Sequence, residues 1–233
     1  AADPQSIGIF KQQGIDTTYE LEEAIERATV IIDCTPESIG LMNKERHYQK
    51  HENDTLGFIA QGSEFGFGKM FACGINDRAL VHGEDRYIHV VSCNTHNLSV
   101  LIEALTLMDE EPDNLIDGRF VCLRRANDIS QSDGFIASPS VSKHGDPNFG
   151  THHARDAYHL FKTLGYDLNL FSSAIKLNTQ YMHCIWFNLT VANPVTRQVL
   201  EERLRQHERI AVTEKTSANM VFSFGRDQGH YGR

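Results

Sequence analysis

Apolar residues along this chain follow two rhythms, and the switches between them mark the elements. Leu21, Ala24, Ile25 and Ala28 stand at helical spacing behind Thr17-x-x-Glu20, which reads as a capping box. The run TVIIDCTP (29–36) is short, continuously apolar and closed by turn residues, so it predicts a strand. A helix is predicted from Ile39 to about Gln49, then a strand over Thr55–Gly62. YIHVVS (87–92) is another strand. Directly after it, Leu98, Leu101, Ile102 and Leu105 mark one face of a helix whose first turn follows Cys93. Such alternation predicts a parallel, doubly wound layout.

The pattern changes near Glu110. A strand is predicted over Arg119–Arg125, and residues 126–150, rich in Ser, Gly, Pro, Asp and Asn, read as a long loop. Ala154, Ala157, Tyr158, Phe161 and Leu164 predict a helix closed by Gly165. DLNLFSSAIKL and QYMHCIWFNLTV read as long strands. In the second, Tyr181, His183, Ile185, Phe187, Leu189 and Val191 share one face. Asn193-Pro194 reads as an N-cap with Pro at N1, opening a helix to about His207. The second half is therefore expected to be α+β, with a largely antiparallel sheet.

With 233 residues, 40% hydrophobic and 23% charged, the chain suits one large domain or two small ones with packed cores. Its net charge of −9 argues against a nucleic-acid or anionic-membrane surface. No apolar run approaches the roughly 20 residues of a membrane span, and no signal peptide is visible. The five cysteines are scattered and form no CxxC pair, so neither a disulfide framework nor a zinc ribbon is indicated. A reducing cytoplasm is the natural setting. The chain starts without Met and stops inside SFGRDQGHYGR, which reads as a fragment lacking both termini.

Cys93 is the first candidate for chemistry. A thiol at a helix N-terminus faces orphan N–H groups, which favour the thiolate. A buried core cysteine is the competing reading, and position alone leaves both open. His183 is either a satisfied core histidine or a base for Cys93. His152 and His153 suit an anion. A metal is not expected, because no carboxylate or thiol stands at ligand spacing. Arg124 and Arg125 close a strand, where one suits a phosphate and a solvated strand end is the alternative. GSEFGFGKM (62–70) fails as a phosphate loop, since Met70 stands where Ser or Thr is needed. It reads as a turn-rich connection.

The series DCTP, AQGSE, VVSCNT, RRAND, THH, TQYMH and KTSANMVFSFGRDQGHYGR resembles, in order, the type II (archaeal-type) glyceraldehyde-3-phosphate dehydrogenases. The resemblance implies a partial Rossmann dinucleotide-binding domain over residues 1–92. A catalytic domain with a mostly antiparallel sheet and flanking helices would follow over 93–233. It implies Cys93 as nucleophile and His183 as base. Ser92, Asn94, Thr95, His152, His153 and Arg124 would bind substrate; Arg125, Gly62, Ser63, Thr35 and Pro36 would bind NAD or NADP. Ser63 stands where the family usually has Gly. The implied partners are a phosphorylated aldehyde, inorganic phosphate and three further copies in a homotetramer.

One departure bears on substrate. The family usually continues Cys-Asn-Thr-Thr-Gly, whereas this chain has Cys93-Asn94-Thr95-His96-Asn97. A related dehydrogenase acting on another phosphorylated or semialdehyde substrate is therefore the runner-up, and a non-catalytic relative is the third reading.

Overall fold

The computed structural model describes residues 4–107, 111–127, 134, 136–141 and 144–227. The chain divides into two compact units. One comprises residues up to Phe71 together with Asp77–Val91. The other comprises Ala72–Asn76 and the chain from Ser92 onward.

The first unit is built on a four-stranded sheet of β1 (Val30–Asp33), β2 (Gly57–Gly62), β3 (Lys69–Phe71) and β4 (Tyr87–Val91) in the order β1-β2-β4-β3. Every pairing is parallel, as the strand–helix alternation predicts. Helices α1 (Pro4–Gln12), α2 (Leu21–Arg27) and α3 (Ile39–Arg46) complete it. Ile25, Tyr48, Phe58, Ala60 and Phe67 form the core, with Phe58 stacked between Tyr48 at 5.2 Å and Tyr87 at 4.9 Å. Gly68 lets the chain pass beside β4, since a Cβ there would lie 2.1 Å from the Tyr87 carbonyl oxygen.

The second unit holds α4 (Cys93–Thr106), β5 (Leu115–Arg124), β6 (Ser140–Val141), α5 (His152–Lys162), β7 (Leu170–Lys176), β8 (Cys184–Val191), α6 (Arg197–Gln206) and α7 (Ala218–Asp227). Its sheet runs β6-β7-β5-β8. β5 pairs in parallel with β7, while the β5–β8 and β6–β7 pairings are antiparallel. Phe120, Cys122, Leu170, Ser172 and Ala174 alternate onto the buried face. Helices α4 and α5 pack against β5 and β7 respectively, and against each other.

Several boundaries differ from the expectation. Helix α2 starts at Leu21 with Glu20 as N-cap and no side-chain cap bond, so Thr17 lies outside the helix and the capping box does not form. Helix α6 is capped by Thr196, whose hydroxyl accepts from the Val199 N–H, three residues after the expected Asn193-Pro194 start. His183 stands just before β8 rather than inside it. The turn-rich connection ends in a short strand, β3, and helix α1 had no counterpart among the expected elements. Residues 128–133, 135 and 142–143 of the long loop, including Asp128 of the RRAND motif, lie outside the described residues, as do Ala1–Asp3 and the last six residues of the KTSANMVFSFGRDQGHYGR motif, 228–233.

Candidate functional site

Cys93 opens α4, with Ser92 as N-cap in extended conformation (φ −64°, ψ 159°). The Ser92 side chain makes no bond to the helix backbone; its hydroxyl lies 3.0 Å from that of Thr95. The first-turn N–H groups are thus left uncapped by Ser92, where they can stabilise a negative charge beside the thiol. Cys93 is exposed. Cys122, on the inner face of β5, is the contrast: fully buried, its thiol is pushed up to about 12 by burial, against the Arg124 charge and with that of Cys93.

Asn94 and Thr95 are buried. The Asn94 amide lies 3.0 Å from Nε2 of His153 in the first turn of α5, and its remaining amide atom is buried without a hydrogen-bond partner. His153 is 2% exposed, whereas the neighbouring His152 ring, 4.0 Å away, is only partly covered. The helical pattern carried a signal for this, because His153 falls four residues before Ala157 on the buried stripe.

The strand end of β5 presents Arg124 and Arg125. Arg124 Nε is buried without a hydrogen-bond partner, and the Arg125 backbone N–H donates to His183 Nδ1 at 3.1 Å. The Nδ1 lone pair is therefore occupied, and the neutral ring carries its proton on Nε2. One helical turn beyond Cys93, His96 and Asn97 line a cavity of about 290 Å³ with His183 and Arg209. Arg209 lies over Gly74: a Cβ there would stand 1.5 Å from the guanidinium, and Gly74 has φ +80°. Its Nη2 is 3.7 Å from Cys73 Sγ. Burial holds His96 below its ordinary value; a hydrogen bond to the Cys73 backbone opposes this, and the Arg209 charge adds to it.

In the first unit, the candidate cofactor residues stand at the C-terminal ends of parallel strands. Thr35 and Pro36 follow β1. Asp33, 5% exposed, accepts from the Thr35 N–H and hydroxyl, from Asn43 Nδ2 at 2.9 Å and from the Tyr48 hydroxyl at 2.7 Å. Burial pushes this carboxyl up, but the bonds from Thr35, Asn43 and Tyr48 outweigh it and hold it below its ordinary value. Gly62 ends β2 with φ +91° and open space where a Cβ would be, and Ser63 follows it. His89 Nε2 lies 2.8 Å from the Gly62 carbonyl. Glu64, 2% exposed, accepts from the Ser38 N–H at 2.6 Å and the Leu41 N–H at 3.0 Å, closing the N-terminus of α3. Neither Asp33 nor Glu64 was a sequence candidate.

Among the described residues, no group of three or more His, Cys, Asp or Glu is placed to hold a metal ion, and no helix is long and apolar enough to cross a membrane. No protein-family model matches the chain. Its sequence is 29% identical over 233 residues to a glyceraldehyde-3-phosphate dehydrogenase of Methanococcoides burtonii, covering 96% of this chain and 63% of that one. The chain is a homologue of the archaeal glyceraldehyde-3-phosphate dehydrogenases. Identity to the Methanobacterium formicicum glyceraldehyde-3-phosphate dehydrogenase is 30% over 215 residues, 89% of this chain and 57% of the relative. To that of Archaeoglobus fulgidus it is 26% over 241 residues, 97% and 64%. The chain thus spans less than two thirds of the length of these dehydrogenases. The ordered motifs and the α/β architecture agree with that kinship.

Proposed function

We propose that the protein takes part in phosphorylating oxidation of glyceraldehyde 3-phosphate with NAD or NADP, giving 1,3-bisphosphoglycerate. The observation that carries this reading is the exposed Cys93 thiol at the uncapped start of α4, in a chain similar over nearly all its length to glyceraldehyde-3-phosphate dehydrogenases. Residues 1–92 serve as the later part of a dinucleotide-binding domain and 93–233 as the catalytic domain, in a cytoplasmic homotetramer.

The Cys93 thiolate adds to the aldehyde carbon, forming a C–S bond and an alkoxide. First-turn N–H groups of α4 and His183 Nε2–H donate to that oxygen. The C–H electron pair leaves as hydride while the carbonyl re-forms as a thioester. An oxygen of inorganic phosphate then attacks the acyl carbon, the C–S bond breaks and the thiolate returns as the acyl phosphate departs. A base role for His183 requires Nε2 without its proton, so the Arg125–Nδ1 contact must open first. The Arg125–Nδ1 contact supports a donor role for the ring at Nε2. Asn97, one helical turn beyond Cys93, and Arg209, which lines the same cavity, suit the substrate's phosphate; Arg124 and His152 complete the binding set, with the fully buried Thr95 supporting Ser92 from behind.

Thr35, Pro36, Gly62 and Ser63 fit a dinucleotide: they end parallel strands, where ligands of open α/β sheets lie, and Gly62 leaves its backbone open to close approach. The family resemblance also assigns Arg125 to the cofactor. The nicotinamide, when bound, supplies the hydride acceptor.

A semialdehyde substrate is the second reading, favoured by His96 and Asn97 in place of the family's Thr-Gly. The deciding experiment compares turnover of glyceraldehyde 3-phosphate and aspartate semialdehyde by the full-length protein and its Cys93→Ala variant. The proposal expects preference for the phosphorylated aldehyde and loss of essentially all turnover in the variant. Retained activity in Cys93→Ala overturns it, and preference for the semialdehyde selects the second reading.

A further inference from the structure

Behind Cys93 runs a line of buried polar groups that the proposed chemistry does not use. Ser172 on β7, Thr151 at the N-cap of α5, His153 and Asn94 are each 0–2% exposed. The Ala154 backbone N–H donates to Ser172 Oγ at 3.0 Å. Ser172 Oγ is 2.6 Å from Thr151 Oγ1, Thr151 Oγ1 is 3.4 Å from His153 Nδ1, and His153 Nε2 is 3.0 Å from the Asn94 amide.

The direction of this line follows from its fixed end. A backbone N–H can only donate, so Ser172 receives from Ala154. The Ser172 proton then has one acceptor among these groups, Thr151 Oγ1. Thr151 in turn passes its proton to His153 Nδ1. The His153 ring therefore carries its proton on Nε2 and donates to Asn94, whose receiving atom must be the carboxamide oxygen. The opposite polarity, with the Asn94 nitrogen facing the ring, strands the hydroxyl proton of either Ser172 or Thr151 within this line and leaves Oδ1 buried without a donor. Burying such groups unsatisfied is costly, so the first polarity, reached by turning the amide over, is favoured.

We propose that Ser172, Thr151 and His153 are positioning residues. Together they form a one-way relay of donors that pins the Asn94 carboxamide, and with it the helix turn that presents Cys93. His153 acts through Asn94 and does not touch substrate, which leaves the partly exposed His152 as the substrate-facing member of the pair. The inference rests on Cys93 being the reacting thiol. It also separates two neighbouring histidines that the sequence gives the same role.

Two measurements on the full-length protein test it. Ring ¹⁵N NMR, with the His153 signals assigned by their loss in His153→Gln, is expected to show the Nε2–H tautomer; the Nδ1–H tautomer overturns the relay. In steady-state kinetics, Thr151→Val removes the relay hydroxyl at nearly constant volume. It is expected to lower kcat by about 10²-fold, the scale of a small misplacement of reacting groups, with KM for the aldehyde within about threefold. Thr151→Ser, which keeps the hydroxyl, should restore kcat. A rise in KM at constant kcat in His153→Ala would instead make His153 a substrate ligand and overturn the proposal. If the unmodified protein oxidises no aldehyde, the functional reading fails, and the ring tautomer still decides the relay.

Discussion

The backbone N–H of Arg125 donates to His183 Nδ1 at 3.1 Å. A proton on that nitrogen would point at the N–H, so the tautomer that fits the contact carries its proton on Nε2, which is then a donor. Glutamine places a neutral N–H donor near the Nε2 position but cannot act as a base. His183→Gln should therefore retain kcat within about tenfold of the unmodified protein, and His183→Ala should lose about 10²–10³-fold, the scale of one oxyanion donor. Equal losses in the two variants would return His183 to the base role.

The thiols should separate by reactivity. With its thiol pushed up to about 12, Cys122 is thiolate in about one molecule in 10⁵ at neutral pH, and its burial also shuts out reagents. Iodoacetamide at pH 7 followed by peptide mass spectrometry should label Cys93 and leave Cys122 unmodified until the protein is denatured. Cys122 labelling in the native protein at a rate near that of Cys93 would contradict the fold around β5.

Arg209 should distinguish substrates by charge. Arg209→Met removes a charge-assisted donor worth about 1.5–3 kcal/mol, which corresponds to roughly a ten- to hundredfold rise in KM for glyceraldehyde 3-phosphate. KM for unphosphorylated glyceraldehyde should change little. Gly74→Ala should reproduce the effect, because its Cβ would fall on the guanidinium. Parallel losses on both aldehydes would mean that Arg209 has only a structural role.

Asp33 makes a prediction in pH. Its carboxyl lies below the ordinary value of 3.8 in the folded protein, so the ionised form is favoured by folding. That contribution is present in full above the unfolded value and is lost as pH falls through the folded one. Asp33→Asn should destabilise by about 1–3 kcal/mol at neutral pH. In urea denaturation, the gap between variant and unmodified protein should hold above about pH 5 and shrink below pH 3.8. A gap independent of pH would remove the ionised carboxylate from the account.

Much of this was readable from side-chain period alone. The parallel sheet followed from short apolar runs alternating with helical stripes, and Cys93 stood out because one such run stopped where a stripe began. What failed were features set by a single residue's backbone or by tertiary contact. Thr17 and Asn193 each looked like caps, yet the first helical dihedrals occur at Leu21 and Arg197. Helix α1 escaped notice because Ile9 and Phe10 remain exposed and form no buried stripe. His183 was drawn into β8 by extending a true alternation past the strand's first residue. Asp33, Glu64 and Thr151 lay inside the DCTP, AQGSE and THH motifs but drew no role of their own, and Ser172 drew none, since their importance comes from hydrogen-bond partners brought together only by the fold.

Glu64 has a consequence for how the first unit comes apart. Its carboxylate, sent out from the turn after β2, closes the first turn of the helix that follows β1. Neither segment can loosen alone without exposing backbone donors on one side or stranding a desolvated charge on the other. The two should behave as one cooperative opening unit, so the amides of Ser38 and Leu41 and that of Glu64 should exchange with solvent at a common rate, although about 25 positions separate them along the chain.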